Sequence, residues 1–246
     1  PFYLSNFQVS FISALFEAIS GLTSTGFSTF KSIKYLDPTL ILWRSSSQWI
    51  GGLFFLIFLI LLFSNKTFNF KMTNLTFSGD SNFKSEESIK NSILKIFIIY
   101  SFLSFLILVL LSISEIRLFN SLNLAMTLIS NGGFLPSDNL NEIINSNFQK
   151  IILALSLTFS LLNFYLIFNI FNKKILLQQH KEDLYLLFLA FILIILIYFN
   201  NFDGLNVIIS VISSLANSGI TLLKTENNLS LYFLLITIIG GSLISN

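Results

Sequence analysis

The sequence predicts an all-α membrane protein, and three observations carry that prediction. Of its 246 residues, 54% are hydrophobic and 11% charged, with a mean hydropathy of +0.79, outside the range of soluble domains of mixed composition. Uncharged apolar runs near bilayer-spanning length recur along the chain without the period-two alternation of strands. Between them, small polar residues running into glycine occur three times, as Thr23-Ser24-Thr25-Gly26, Ser130-Asn131-Gly132-Gly133 and Ala216-Asn217-Ser218-Gly219. Helices are the expected form because a backbone in lipid must satisfy its own hydrogen bonds.

Aligning Gly26, Gly133 and Gly219 orders the chain as an internal repeat. Residues 1–64 form a first unit that lacks an opening span: a half-helix at 11–22, the glycine element, then an apolar run at 50–63 extended back through Trp49 and Trp43. A lysine-bearing connector covers 65–91. The second unit, 92–172, is complete: a span at 96–113, a charged bend with Glu115 and Arg117, a half-helix at 122–129, the Gly133 element, and a span at 151–171. A second connector covers 173–183, and a third unit, 184–246, holds a span at 184–199, a break with Asp203 as N-cap, a half-helix at 206–215, the Gly219 element and an apolar run from 229. Opening at Pro1 and closing at Asn246 inside an apolar stretch, the chain reads as a fragment of a longer protein.

Several function classes are excluded by composition. A net charge of +2 with no aromatic-interleaved basic patch argues against nucleic acid. Cysteine is absent and the one histidine, His180, lies in a lysine-rich connector, so no residue set suggests a metal-hydrolase centre or another cofactor. A membrane enzyme would need a carboxylate pair or a serine–lysine dyad, and the spans carry only isolated charges such as Glu17 and Lys95. Eight lysines lie in the connectors or at their edge, at 66, 71, 84, 90, 95, 173, 174 and 181, against four on the glycine side, which predicts cytoplasmic connectors and outward-facing glycine elements.

Half-helices that enter a bilayer and turn back place irregular backbone at membrane depth, which is tolerated only against protein or a water-filled cavity. Their C-terminal dipole ends favour a cation, and rings of carbonyls replace the hydration shell of potassium or sodium. Glycine after a helix is also the commonest C-cap, so one such element alone would mean little. The flanking Thr23, Ser24, Thr25, Ser130, Asn131, Asn217 and Ser218 are neutral residues able to add oxygens or brace the loop. Arg44 either hydrogen-bonds loop carbonyls or snorkels to the interface, Gln48 makes a helix-packing hydrogen bond, and Trp43 and Trp49 fit an interfacial belt. Glu17 either attracts cations or is capped or paired.

At these residues the chain resembles the Trk/Ktr/HKT superfamily of potassium and sodium transporters. The matching stretches are Ser20 to Ser28 and Trp43-Arg44 followed by Gln48-Trp49-Ile50-Gly51-Gly52, then Ser130 to Phe134 with Asp138, and Ala216 to Thr221. The resemblance implies four units around one pseudo-fourfold pore, of which about three are present. It implies potassium as substrate, held by carbonyls of a filter at Thr23, Ser24, Thr25, Gly26, Ser130, Asn131, Gly132, Gly133, Ala216, Asn217, Ser218 and Gly219, supported by Arg44 and Gln48. A gate is implied at Gly240, Gly241 and Ser242. Glycine at 26, 133 and 219 goes with potassium over sodium, while Ala216 loses one side-chain oxygen at its level. Implied partners are membrane lipid, a second copy in a homodimer and a cytosolic nucleotide-binding regulatory subunit. The implied location is the bacterial cytoplasmic membrane, multi-pass. A sodium-permeable member and a non-conducting, degenerate scaffold stand as alternatives.

Overall fold

The computed structural model describes residues 1–5, 9–64, 86–162, 164–171, 181–198, 203–223 and 232–238, and the described secondary structure is entirely helical. Three helices of 12 residues stand before the three glycine elements: α1 (Phe11–Leu22), α4 (Leu118–Ile129) and α8 (Gly204–Leu215). At 1.5 Å per residue each is about 18 Å long, well short of a hydrocarbon core of about 30 Å. The second and third begin four and two residues earlier than the apolar patterns at 122 and 206 suggest, because Asn120 and Ser121 interrupt the apolar pattern without interrupting the helix.

The longer helices are α2 (Pro38–Ser64) and α3 (Glu86–Ile113), both long and apolar enough to cross a membrane. α3 starts ten residues before the expected 96, inside the connector, since no glycine or proline separates Glu86 from Ile96. The expected span at 151–171 is corrected: it divides into α5 (Asn147–Leu161) and α6 (Phe164–Phe171), with Leu162 extended at ψ 142°. Thr158 and Ser160 hydroxyls donate to Leu155 and Leu157 carbonyls there, back-bonds of a kind that loosen a helix end. α7 (Lys181–Tyr198) precedes α8, and residues 232–238 are helical. The connector lysines 66, 71, 84, 173 and 174, His180 and the candidate gate Gly240, Gly241 and Ser242 lie outside the described residues.

Local signals set the element ends. Ser10 caps α1 by accepting from the Ser13 N–H, and Ser146 with Gln149 forms a full capping box on α5. Gln149 also donates to the Ser114 carbonyl, pinning the start of α5 to the end of α3. The bend between α3 and α4 turns on Glu115, at φ 65°. Asp203 occupies the N-cap of α8 as expected, but its side chain accepts from the Asn206 amide and not from the helix backbone.

Packing runs α1 on α2, α2 on α3 and α4, α4 on α3 and α5, α5 on α8, and α8 on α7. The main core lies among α3, α4, α5, α7 and α8, where Leu124, Leu128, Leu153, Leu157, Val211 and Leu215 are fully buried. A second cluster of Leu53, Ile60, Ile96 and Tyr100 joins α2 to α3. Outward, α2 and α3 expose Phe54, Phe55, Phe58, Phe97, Phe102 and Phe105, an apolar exterior of the kind lipid covers. α1 also leaves Phe11, Ile12, Leu15, Phe16 and Ile19 exposed, with Phe11 meeting the Tyr3 ring edge-on at 5.9 Å.

Candidate functional site

All three half-helices end in the same backbone motif. Thr25 N–H donates to the Ser20 carbonyl, Gly132 N–H to Thr127, and Ser218 N–H to Ser213, each at 3.0 Å. One residue earlier, Ser24, Asn131 and Asn217 donate to Gly21, Leu128 and Ser214. These paired bonds are Schellman caps, whose left-handed residue is usually glycine. Here that residue is Ser24, Asn131 or Asn217, with φ between 52° and 56°. The glycines are therefore not the caps. Two residues on, Gly26, Gly133 and Gly219 take positive φ again, at 79°, 76° and 68°, and redirect the chain a second time.

The turns meet. A Cβ added to Gly26 would lie 2.2 Å from the Gly132 carbonyl oxygen, and one added to Gly133 would lie 2.6 Å from the Ser218 carbonyl oxygen. Gly219 has open space at that point. Gly26 and Gly133 thus each seat a carbonyl of the next turn, with backbone against backbone, and Gly219 has no such neighbour among the described residues.

A hydroxyl six residues before each glycine braces its turn, a spacing legible in the sequence as Ser20, Thr127 and Ser213. Ser20 Oγ donates to the Phe27 carbonyl at 2.7 Å, Thr127 Oγ1 to Gln48 Oε1 at 2.8 Å, and Ser213 Oγ accepts from the Ile220 N–H at 2.7 Å. The Ser213 hydroxyl also meets the Ser218 hydroxyl. Side chains at the caps serve the helices: Thr23 Oγ1 donates to the Ile19 carbonyl and Ser130 Oγ to that of Met126. What Ala216 lacks is therefore such a back-bond to its helix, not an oxygen pointed at the meeting place. Thr23 and Thr25 hydroxyls lie 2.7 Å apart, and Ser24 Oγ reaches the Gln48 carbonyl at 3.4 Å. Asn131 Nδ2 donates to the Ser160 carbonyl at 3.1 Å, one of the carbonyls left without a helical partner at the end of α5.

The stretch Gln48 to Gly52 in α2 passes between the ends of α1 and α4, and each residue type has a geometric reason. Gln48, fully buried, donates through Nε2 to the Gly132 carbonyl and accepts through Oε1 from Thr127 and, at 3.2 Å, from the Phe134 N–H. Trp49 donates to Ser104 Oγ at 2.8 Å and packs on Tyr100, so it joins helices instead of sitting in an interfacial belt. Trp43, at 47% exposure, keeps the interfacial reading open. Cβ atoms at Gly51 and Gly52 would meet the Leu22 carbonyl oxygen at 2.0 Å and the Ser130 Cβ at 3.0 Å.

Arg44 does neither of the two things expected of it. It is 1% exposed, so it does not snorkel, and its guanidinium hydrogen-bonds no carbonyl. Nε lies 3.4 Å from Glu17 Oε2, and the guanidinium carbon stands 4.1 Å over the Phe134 ring. Glu17 is paired: its Oε1 accepts from Ser28 Oγ and Thr29 N–H, both at 2.6 Å. Farther out, Asp138 accepts from Ser32 Oγ at 2.5 Å and from the Ile33 N–H, joining the stretch after the first turn to the stretch after the second. The Ser32 and Ile33 bonds, with a weaker contribution from Lys34, hold its carboxyl below the usual range.

Among the described residues no group of three metal-ligating side chains gathers. Short helices ending in irregular turns, braced by neutral side chains and by a buried charge pair and packed beside two helices long enough to cross a membrane, define the class of an all-α membrane protein.

Comparison with known proteins agrees. No family model matches the chain. It is 26% identical over 249 aligned positions, 98% of the chain and 51% of the relative, to an uncharacterized cation transporter, MJ1485, of Methanocaldococcus jannaschii. Over 53 residues, 22% of the chain and 11% of the relative, it is 40% identical to the Trk system potassium uptake protein TrkI of Halomonas elongata. The crystal structure of the potassium transporter TrkH from Vibrio parahaemolyticus superposes with a TM-score of 0.75 at 19% identity, over 93% of this chain and 49% of that one. In sequence and fold the chain is similar to Trk-type transporters, a family of transporters and not of enzymes. It spans about half the length of MJ1485 and of TrkH.

Proposed function

We propose that this chain contributes three walls of a potassium pathway, with the carbonyls around Gly26, Gly133 and Gly219 forming the ion-selective surface. The observation that carries the reading is the repeated turn: the same double reversal occurs three times and each of the first two glycines seats a carbonyl of the next turn. Carbonyls gathered at the C-terminal ends of three helices favour a cation, and those ends are the places where irregular backbone enters the membrane. The likeness to a cation transporter and to TrkI and TrkH supports the same reading.

In this reading the chain divides into units at 1–64, 92–172 and 184–246, the exposed face of α1 receives an opening span, and a fourth turn completes the ring beside Gly219. The glycine turns face outward, the lysine-bearing connectors face the cytoplasm of a bacterial cell, and Gly240 to Ser242 form a gate. Assembly as a dimer on a nucleotide-binding regulatory ring belongs to the same proposal and places the connectors at the contact.

The test is complementation of a potassium-uptake-deficient bacterium by the full-length reading frame, with variants Gly26→Ser and Gly133→Ser. Rescue by the parent, and a lowered preference for potassium over sodium in both variants, are expected. Unchanged flux and selectivity in both variants would sink the filter assignment, and absence of rescue by a well-expressed parent would favour a non-conducting scaffold.

A further inference from the structure

Glu17 and Arg44 lie at 0% and 1% exposure between the segments that follow the first two glycine turns. The carboxylate holds Ser28 and Thr29, two and three residues after Gly26, with both bonds at 2.6 Å. The guanidinium covers Phe134, the residue after Gly133, at 4.1 Å from the ring centroid. Arg44 Nη1 and Nη2 donate no hydrogen bond, so the group is kept in place by the carboxylate, by the Phe134 ring and, at 5.6 Å, by the Phe30 ring in the segment after the first turn. Either charge alone would be costly at this depth, whereas together they are compensated. A compensated pair gives Glu17 little field to offer a passing ion, but it gives the two turns a fixed separation.

Resting on the cation-pathway reading above, we propose that Glu17 and Arg44 are positioning residues, a neutral buried bracket that sets the spacing of the first and second turns and thereby discrimination between potassium and sodium. They act through Ser28, Thr29 and Phe134. The number and spacing of the carbonyls that replace an ion's hydration shell bear on which ion is held, and the bracket bears on that spacing through the segments that follow the two turns.

The experiment measures the potassium-to-sodium permeability ratio of the full-length protein at matched surface level. Phe134→Leu removes the ring face while keeping an apolar side chain, and Ser28→Ala removes a donor to Glu17 from an exposed position; neither changes a charge. Glu17→Gln combined with Arg44→Gln removes both charges at once. Phe134→Leu is expected to lower the ratio by about threefold, the order of one lost cation–π contact, and Ser28→Ala and the charge-free pair to lower it in the same direction. An unchanged ratio in Phe134→Leu and Ser28→Ala overturns the bracket, whatever the charge-free pair does, because a field effect of Glu17 would alter only the latter. If the double variant does not reach the membrane, the two uncharged substitutions decide. A selective parent with unchanged variants refutes the bracket alone, whereas a parent that carries no monovalent cation refutes the pathway reading and the bracket with it.

Discussion

Gln48 shows how much one side chain carries. Its amide donates to the Gly132 carbonyl and accepts from Thr127 and Phe134, so donor and acceptor are both used within one buried amide. Gln48→Glu keeps the acceptors but sets a carboxylate oxygen against the Gly132 carbonyl, while Arg44 one helical turn away is already paired with Glu17. Unfolding of the detergent-solubilised protein is expected to show a loss of about 3 kcal/mol or more; Gln48→Leu, which leaves the same partners unsatisfied without a charge, is expected to lose about 2 kcal/mol. Equal stability of Gln48→Glu and the parent would mean that water replaces these bonds. The sequence marked Gln48 and Arg44 as residues of interest, yet their partners were not legible, because Gly132 sits 84 residues from Gln48 and Phe134 sits 90 from Arg44 along the chain, and even Glu17 lies on a different helix from Arg44.

Among elements, α2 depends on two adjacent glycines to lie against two half-helices at once. A Cβ at Gly51 would meet the Leu22 carbonyl oxygen at 2.0 Å, where neither backbone can yield without moving a helix. Gly204, at the start of α8, would meet only a Tyr198 ring carbon at 3.2 Å, and a ring swings aside. Gly51→Ala is expected to cost about 2 kcal/mol or more through overpacking, and Gly204→Ala to stay within about 0.5 kcal/mol of the parent. Thermal unfolding of both variants in the same detergent checks the contrast, and similar losses would refute it. The half-helices themselves were legible from apolar runs too short to cross a bilayer. Their starts and the division of α5 from α6 were not, since hydroxyl back-bonds and an extended Leu162 leave no mark in hydropathy.

For the molecule as a whole, contacts between repeats decide how the turns stand to one another, and one of them is open to titration. Asp138 is exposed and ties the stretch after the second turn to Ser32 and Ile33 after the first. Because its carboxyl titrates below the ordinary range in the folded state, it binds fewer protons folded than unfolded as the pH falls through about 4, the ordinary value. Its stabilising contribution is full above that ordinary value and is lost as pH falls through the lower folded-state value. Melting temperatures measured between pH 6 and pH 3 should therefore fall more steeply for the parent than for Asp138→Asn. Parallel curves would show that the bridge does not contribute to stability.

The sequence by itself determined the membrane class, the three-fold repeat of polar residues and glycine, the half-length of the preceding helices and the resemblance carried by Trp43 to Gly52. All of these are local, written in composition and in spacings of a few residues. Only the tertiary structure decided that Ser24, Asn131 and Asn217 form the helix caps, leaving Gly26 and Gly133 to seat the carbonyls of Gly132 and Ser218. It also decided that Glu17 and Arg44 pair and that Arg44 reaches Phe134. The reason is physical: a helix cap and a seat for a neighbouring backbone both ask for small or polar residues, and the two are told apart by what lies opposite, which is set by packing between segments far apart along the chain. The three glycines mark where the chain turns, and the packing of the first turn on the second and of the second on the third brings those turns together.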